Sequence, residues 1–307
     1  MNLMFVKKSI MLPIYSLILY FLKKYNSFTI KKFGLFNGVK YLHLINRNNA
    51  NELFKEKDLS SLPLMICRYG NVEFSAITTG NNIDPLCNNA GFFPRDKKLI
   101  SKFKDVYLEA SKSIDILSVW NYNLNKLTSM SKKKSLIRNF SNIKYIIELH
   151  TLDPYHNNWI SELKGKKLLI LHPFKKSIEY QINKNNTLLP VVESIEIIEA
   201  VQTIAGHVDT RFKDWFEALD FMIKEIQMHE FDVCLIGCGA YGLPLAAAVK
   251  KMGKQAIHIG GSLQLLFKIK GKRWVNSDDY EFDKSWISPL TEDIPSQASK
   301  VEDACYW

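Results

Sequence analysis

Cysteine is scarce in this chain. Cys67, Cys87, Cys234, Cys238 and Cys305 are the full complement in 307 residues. The count is odd and the spacing irregular, which excludes a disulfide-framed scaffold and makes the cytosol the expected compartment. Cys234 and Cys238 have no second pair or histidine at zinc spacing. Long apolar runs are missing too: the longest, Ile10 to Leu22, holds 13 residues. As a helix it reaches roughly 20 Å, short of the ~30 Å needed to span a bilayer. No Gly/Ser/Pro-rich linker and no internal repeat divides the body, so one domain is expected. With 47% hydrophobic and 23% charged residues the composition is globular, which excludes global disorder and fibrous repeats.

Acidic residues are absent before Glu52, and that stretch holds Lys7, Lys8, Lys23, Lys24, Lys31, Lys32, Lys40 and Arg47. Most of the net charge of +10 therefore sits at one end. A nearly neutral body argues against a nucleic-acid-binding face. Residues 1–30 read as a basic apolar arm ahead of a domain over 31–307. A signal peptide fits poorly, because no small-residue cleavage site follows Leu22. Two readings of the arm stay open. One is a first helix packed on the core. The other is an interfacial helix whose lysines meet anionic headgroups, making the protein peripheral on the inner face of the cytoplasmic membrane.

From residue 60 short apolar runs alternate with helix-length segments. The pattern predicts strands at Leu64–Cys67, Ile114–Val119, Tyr145–Leu149, Lys167–Leu171, Ile195–Val201, Asp232–Ile236 and Gln255–Ile259. Helices are expected near 72–79, 95–112, 174–184, 211–228 and 243–252. This alternation predicts an α/β, Rossmann-like, mostly parallel sheet with helices on both faces, which binds ligands at strand carboxyl ends.

Four motifs fall at such ends. Gly237-Cys238-Gly239-Ala240-Tyr241-Gly242 follows an apolar strand and opens a helix, a pattern suited to a phosphate. The acid that a dinucleotide site needs about 20 residues later is absent, because the next strand runs into Gly260-Gly261-Ser262. Arg68-Tyr69-Gly70-Asn71-Val72-Glu73 puts a cation and a carboxylate at a strand end, where Arg68 can hold phosphate and Glu73 can act as base or metal ligand. His172, with Ser177 at the following helix start, can contact phosphate or sugar hydroxyls. Gly260 and Gly261 precede Lys272, Arg273 and Trp274, residues able to neutralise a diphosphate and stack a ring. Structural alternatives stand beside each: a packing turn, a buried Arg–Glu pair, a core histidine and a solvated basic turn.

Together these motifs resemble the glycosyltransferases of the GT-D fold, whose Arg-x-Gly-Asp-x-Glu signature is matched by Arg68-x-Gly70-Asn71-x-Glu73. His172–Phe174, Gly237–Gly242, His258–Gly261, Gly271–Trp274 and Val301–Trp307 resemble uncharacterised proteins of bacterial capsule and O-antigen clusters more closely. The resemblance covers about residues 60–307. It implies a single Rossmann-like domain that transfers a sugar from a nucleotide diphosphosugar, with a UDP-sugar favoured, to a glycan or lipid-linked acceptor. Arg68 and Glu73 would be catalytic. Gly70, Asn71, His172, Ser177, Gly237, Gly239, Tyr241, Gly242, Gly260, Gly261, Lys272, Arg273 and Trp274 would hold the donor. The family's Asp-x-Glu implies Mn or Mg at Asn71 and Glu73. Here the aspartate is replaced by an uncharged amide, and Arg68, Lys272 or Arg273 can stand in for the cation. Asp153, Glu193 and Asp209 are further candidates for the base. The rival expectations are a Rossmann-type methyltransferase or oxidoreductase acting on sugars, and a non-catalytic polysaccharide assembly factor.

Overall fold

The structure, a computed structural model, describes residues 43–45, 63–79, 83–119, 143 and 145–307. The expected arm over 1–30 lies outside the described residues. No described helix is long and apolar enough to cross a membrane.

Eight parallel strands form one sheet: β1 (His43–Ile45), β2 (Leu64–Arg68), β3 (Ile116–Val119), β4 (Tyr145–Glu148), β5 (Lys167–His172), β6 (Ser194–Glu199), β7 (Val233–Ile236) and β8 (Gln255–His258). Their order across the sheet is β1-β4-β3-β2-β8-β7-β5-β6. All seven expected strands are present, with ends moved by up to two residues. The three-residue edge strand β1 is additional. The central strands carry continuous apolar runs because helices or loops cover both faces of a parallel sheet. Met65, Ile66, Leu169, Ile170, Cys234 and Leu235 are fully buried. At the other edge, β6 carries Glu196 and Glu199 and is largely solvated, which discourages edge-to-edge pairing.

Side chains alternate across the sheet and make two cores. On one face Met65, Cys67, Leu169, Leu171, Cys234 and Ile236 pack beneath α1 (Asn71–Thr79), α2 (Ile83–Ala90), α3 (Ile100–Ser111), α5 (Trp215–Gln227) and α6 (Gly242–Lys251). On the other, Leu64, Ile66, Leu168, Ile170, Val233 and Leu235 meet α4 (Lys175–Asn183), α7 (Leu263–Leu266) and the carboxyl-terminal segment with Val301 and Trp307. A short α8 (Lys272–Val275) follows. Helices on both faces match the sequence reading.

Local rules explain the helix ends. The stretch expected as a helix over 211–228 starts only at Trp215, because the Asp214 side chain accepts the Glu217 amide at 2.9 Å and caps α5 there. Trp215, Ala218, Leu219, Met222 and Ile226 then fall on one face and are buried. The expected helix over 95–112 resolves into a 3-10 turn, Lys97–Leu99, capped by Asp96, and α3.

A polar clamp fixes the start of β3. The Asp115 carboxylate accepts the Met65 amide at 2.8 Å and the Lys250 ammonium at 2.6 Å, and Lys250 also donates to the Ser113 carbonyl at 2.8 Å. Asp115→Ala would strand a largely buried ammonium and an amide, so unfolding free energy in urea should fall by about 3–5 kcal/mol. Lys250→Met leaves the buried Asp115 carboxylate with the Met65 amide and no cation, so it should lose a comparable amount.

Candidate active site

The chain lays β3 and β4 on one side of β2 and β6 on the outer side of β5, then fills the middle with β7 and β8. Strand order therefore reverses around the centre, and the crevice at those carboxyl ends is where such sheets take ligands. Arg68 ends β2, His258 ends β8, Gly237 follows β7 and His172 ends β5. All four line one cavity of about 420 Å³. Gly70, Asn71 and Glu73 enter from the start of α1, Gln202 and Thr203 from the loop after β6, and Arg273, Tyr306 and Trp307 from the carboxyl-terminal half.

The glycines here seat the protein's own side chains. A Cβ on Gly70 would collide with the Glu73 carboxylate, one on Gly242 with the His258 ring, and one on Gly261 with the Tyr306 ring. At Gly237 it would lie 2.7 Å from His172 Cδ2, and at Gly260 2.8 Å from Arg68 Nη1. Gly260 also has φ of 65°, a left-handed conformation that side chains resist. The expectation that these turns bring backbone up to a ligand is thus replaced by one in which they make room for polar groups that line the cavity. The Gly237 amide is already committed to the Leu171 carbonyl at 2.9 Å.

Electrostatics divide these groups into bound and available. Glu73 is 8% exposed, and burial raises its carboxyl above the usual 4.5, against a bond from its own backbone amide and the field of Arg68. Arg273 at the rim donates to the Tyr306 hydroxyl at 3.1 Å and to Glu302 at 2.5 Å, and its guanidinium lies 4.5 Å from the Tyr306 ring centroid. Arg68, half-buried, makes no hydrogen bond or ion pair with any side chain among the described residues.

The two histidines are held as opposite tautomers. His172 Nδ1 accepts the Phe174 amide at 3.0 Å, so the proton of the neutral ring sits on Nε2. His258 Nδ1 faces the Ile236 carbonyl at 3.2 Å, so its proton sits on Nδ1 and Nε2 keeps its lone pair. Burial lowers His172 to about 3, and burial followed by the charge of Arg68 lowers His258 to about 3. Both stay uncharged at neutral pH.

No family model and no curated protein matches the chain. Among solved structures, one described as a domain of unknown function 1792 with a distinct glycosyltransferase fold superposes with a TM-score of 0.46 at 12% identity, over 87% of this chain and 96% of that one. A structure described as a new glycosyltransferase of that domain type from Streptococcus sanguinis gives 0.46 and 13%, over 84% and 98%. These likenesses are too remote to transfer residue roles.

The fold brings together most of the expected residues: Arg68, Gly70, Asn71, Glu73, His172, Gly237, Gly239, Tyr241, Gly260, Gly261 and Arg273 all line the cavity. Four do not. Ser177 is sealed under Asp293, which accepts its amide at 2.7 Å and its hydroxyl at 2.5 Å and so caps α4. Gly242 lies beneath His258. Lys272 is exposed, donating to the Asp303 carbonyl at 3.3 Å. Trp274 packs in a separate cluster with Leu265 and Trp286. Of the carboxylates proposed as base, Glu73 alone lines this cavity. Asp153 is buried against Tyr280, Glu193 pairs with Lys167 at 3.4 Å, and Asp209 is tied to Arg211 at 2.7 Å.

The sequence reading missed Thr203, Glu302, Tyr306 and Trp307 and assigned no role to His258. Thr203 donates to the Gly91 carbonyl at 2.5 Å and meets the Tyr241 hydroxyl at 3.1 Å, fixing that wall. The terminal Val301–Trp307 motif was the one signal available for the others.

The Mn or Mg expectation rests on Glu73 and Asn71. Among the described residues no group of three His, Cys, Asp or Glu is placed to hold a metal. One carboxyl held towards neutrality and one exposed amide fall short of the oxygen cage that a hard cation requires. These donors do not fit a protein-held divalent cation.

Two outcomes follow from this geometry. Ser177→Ala should lower stability by about 1–3 kcal/mol, because it removes the buried hydroxyl that donates to Asp293 and accepts the Leu290 amide at 2.8 Å, and leave nucleotide affinity unchanged in calorimetry. Glu73→Gln should raise the melting temperature at pH 7 and above. The raised carboxyl makes the folded wild type less stable as pH climbs through its pKa, and the gain should vanish below about pH 4.5, where the side chain is neutral folded and unfolded.

Proposed function

We propose that this chain is a glycosyltransferase that moves a sugar from a nucleotide diphosphosugar to a glycan or lipid-linked acceptor. The observation that carries the reading is the placement of Arg68, with no partner among the described side chains, beside the buried carboxyl of Glu73. Both line a cavity of about 420 Å³ at the strand-order reversal, a size suited to a small-molecule ligand. The resemblance of Arg68-x-Gly70-Asn71-x-Glu73 and of the later motifs to sugar-transfer proteins supports it. The same motifs support a place in surface-polysaccharide assembly. A lipid-linked acceptor would suit the basic arm and a location at the inner membrane face.

In this mechanism the acceptor hydroxyl oxygen attacks the anomeric carbon, the bond from that carbon to the diphosphate breaks, and its electron pair leaves with the diphosphate. Glu73 takes the hydroxyl proton, and its raised pKa brings it closer to working pH as a base. Arg68, helped by the rim cation Arg273 and the neutral His172 Nε2–H donor, meets the charge that builds on the leaving oxygen. No metal is needed as a participant in these steps.

Thermal shift against UDP, GDP, CMP, NAD and S-adenosylmethionine, with and without manganese, tests this reading. A single nucleoside diphosphate should raise the melting temperature. Arg68→Ala should weaken its binding about 10–100-fold, the worth of a charge-assisted hydrogen bond. His172→Phe should weaken it and His172→Gln restore most of the loss. Glu73→Gln should cut turnover about 10²–10⁴-fold with little change in nucleotide affinity. A shift with NAD or S-adenosylmethionine alone would favour the oxidoreductase or methyltransferase. No shift at all would favour the non-catalytic assembly factor, the reading that the thin metal-donor set also favours.

A further inference from the structure

The cavity described above shares Pro173, Val201 and Gln202 with a second, larger one of about 770 Å³. This second space lies at the carboxyl end of the edge strand β6, between α5, the start of α4 and residues 292–296. It therefore lies next to the first along the carboxyl edge of the sheet, the edge at which α/β folds hold ligands.

The lining differs in character from the first cavity. Arg211 is consumed by Asp209, Lys175 reaches Glu179 at 3.9 Å, and Asp293 is spent on the α4 cap. Glu199, Glu225 and Glu292 line the space and form no ion pair or hydrogen bond with side chains of the described residues. Gln202 and His207 add polar groups, and Phe221 adds an aromatic surface. The two neighbouring cavities thus differ in charge: the first holds an unsatisfied cation, Arg68, and the second unsatisfied carboxylates.

We infer that the second cavity is the acceptor site and takes a hydroxyl- or amine-bearing sugar with no anionic group on the unit that enters it. This rests on the glycosyl-transfer reading of the adjoining cavity and names its second substrate. A carboxylate accepts hydrogen bonds from sugar hydroxyls or an ammonium at either oxygen, whereas a phosphate or uronate here would face like charge. Pro173, Val201 and Gln202 line both cavities, so a sugar held in the second would sit next to the cavity that holds Glu73. A lipid-linked acceptor would then enter by its sugar end and leave its diphosphate outside.

Saturation-transfer NMR on the whole protein, with methyl glucoside, glucosamine and glucuronate at equal concentration, tests this. Transfer is expected to the first two, with glucuronate about fivefold weaker, as like charges at contact distance in water require. A Glu199→Gln, Glu225→Gln double variant should lose the preference for glucosamine over glucuronate while keeping its melting shift with UDP. Equal or stronger transfer to glucuronate, transfer to none of the three, or an unchanged preference in the double variant would overturn the assignment. Sugar binding here with no UDP shift in the wild type would remove the donor reading and leave the sugar site standing.

Discussion

The parallel pairing of β2, β8, β7 and β5 is the constraint on which the rest depends. Each of these strands is buried on both faces, so no charged or strongly polar side chain can sit along its length without a partner. Polarity is admitted only at the last residue, where the strand leaves the core. The step from Cys67 to Arg68, from Leu171 to His172 and from Ile257 to His258 occurs at that boundary in three strands, and Gly237 occupies it in the fourth. Parallel register then aligns the four boundaries. A polar cavity between two apolar cores is thus a consequence of strand direction, and the helix starts that follow complete its walls.

Space for that cavity's side chains comes from glycine. Five polar or aromatic groups (Glu73, His172, His258, Arg68 and Tyr306) occupy positions that a Cβ on a neighbouring turn would block or crowd. The glycine pattern was legible in the sequence, but its purpose was not. A Gly-x-Gly-x-x-Gly turn reads locally as a cradle for a ligand. The groups that fill it come from residues 16 or more positions away, from His172 and His258, and only the tertiary pairing reveals them. The same distance explains why Tyr306 escaped notice: its ring reaches Gly261 and Arg273 across a carboxyl-terminal segment with little regular structure to announce its path.

The seven strands were readable because their apolar runs are short, uninterrupted and bounded by polar residues. The second helix was not. Ile83–Ala90 carries Pro85 and the pair Asn88-Asn89, which signal a turn, and the helix is held instead by Ile83, Leu86, Cys87 and Ala90 against the core. Ser177, Lys272 and Trp274 show the reverse error. Each has the chemistry of a ligand contact in sequence, yet Asp293, the Asp303 carbonyl and Trp286 claim them in space. Residue type and spacing placed the strands to within two residues at either end, and failed where a side chain's partner lies outside its own motif, 12 residues off for Trp274 and 116 for Ser177.

The cavity's charge is kept low, and that bears on how it would work. Two histidines are held neutral by burial, Glu73 is pushed towards neutrality, and Arg273 is already matched to Glu302 and the Tyr306 hydroxyl. Arg68 is then the main uncompensated charge facing the interior. A site crowded with free cations would grip a diphosphate in the ground state as firmly as in the transition state, and tight uniform binding does not speed the chemical step. One free guanidinium with a neutral N–H donor leaves the ground state moderately held. In the proposed transfer its advantage would grow as the sugar–oxygen bond breaks and negative charge concentrates on the leaving oxygen. Asn71 adds an amide rather than a charge to the wall it shares with Glu73, and Glu302 is already matched to Arg273, so Glu73 is the carboxylate left to offset Arg68.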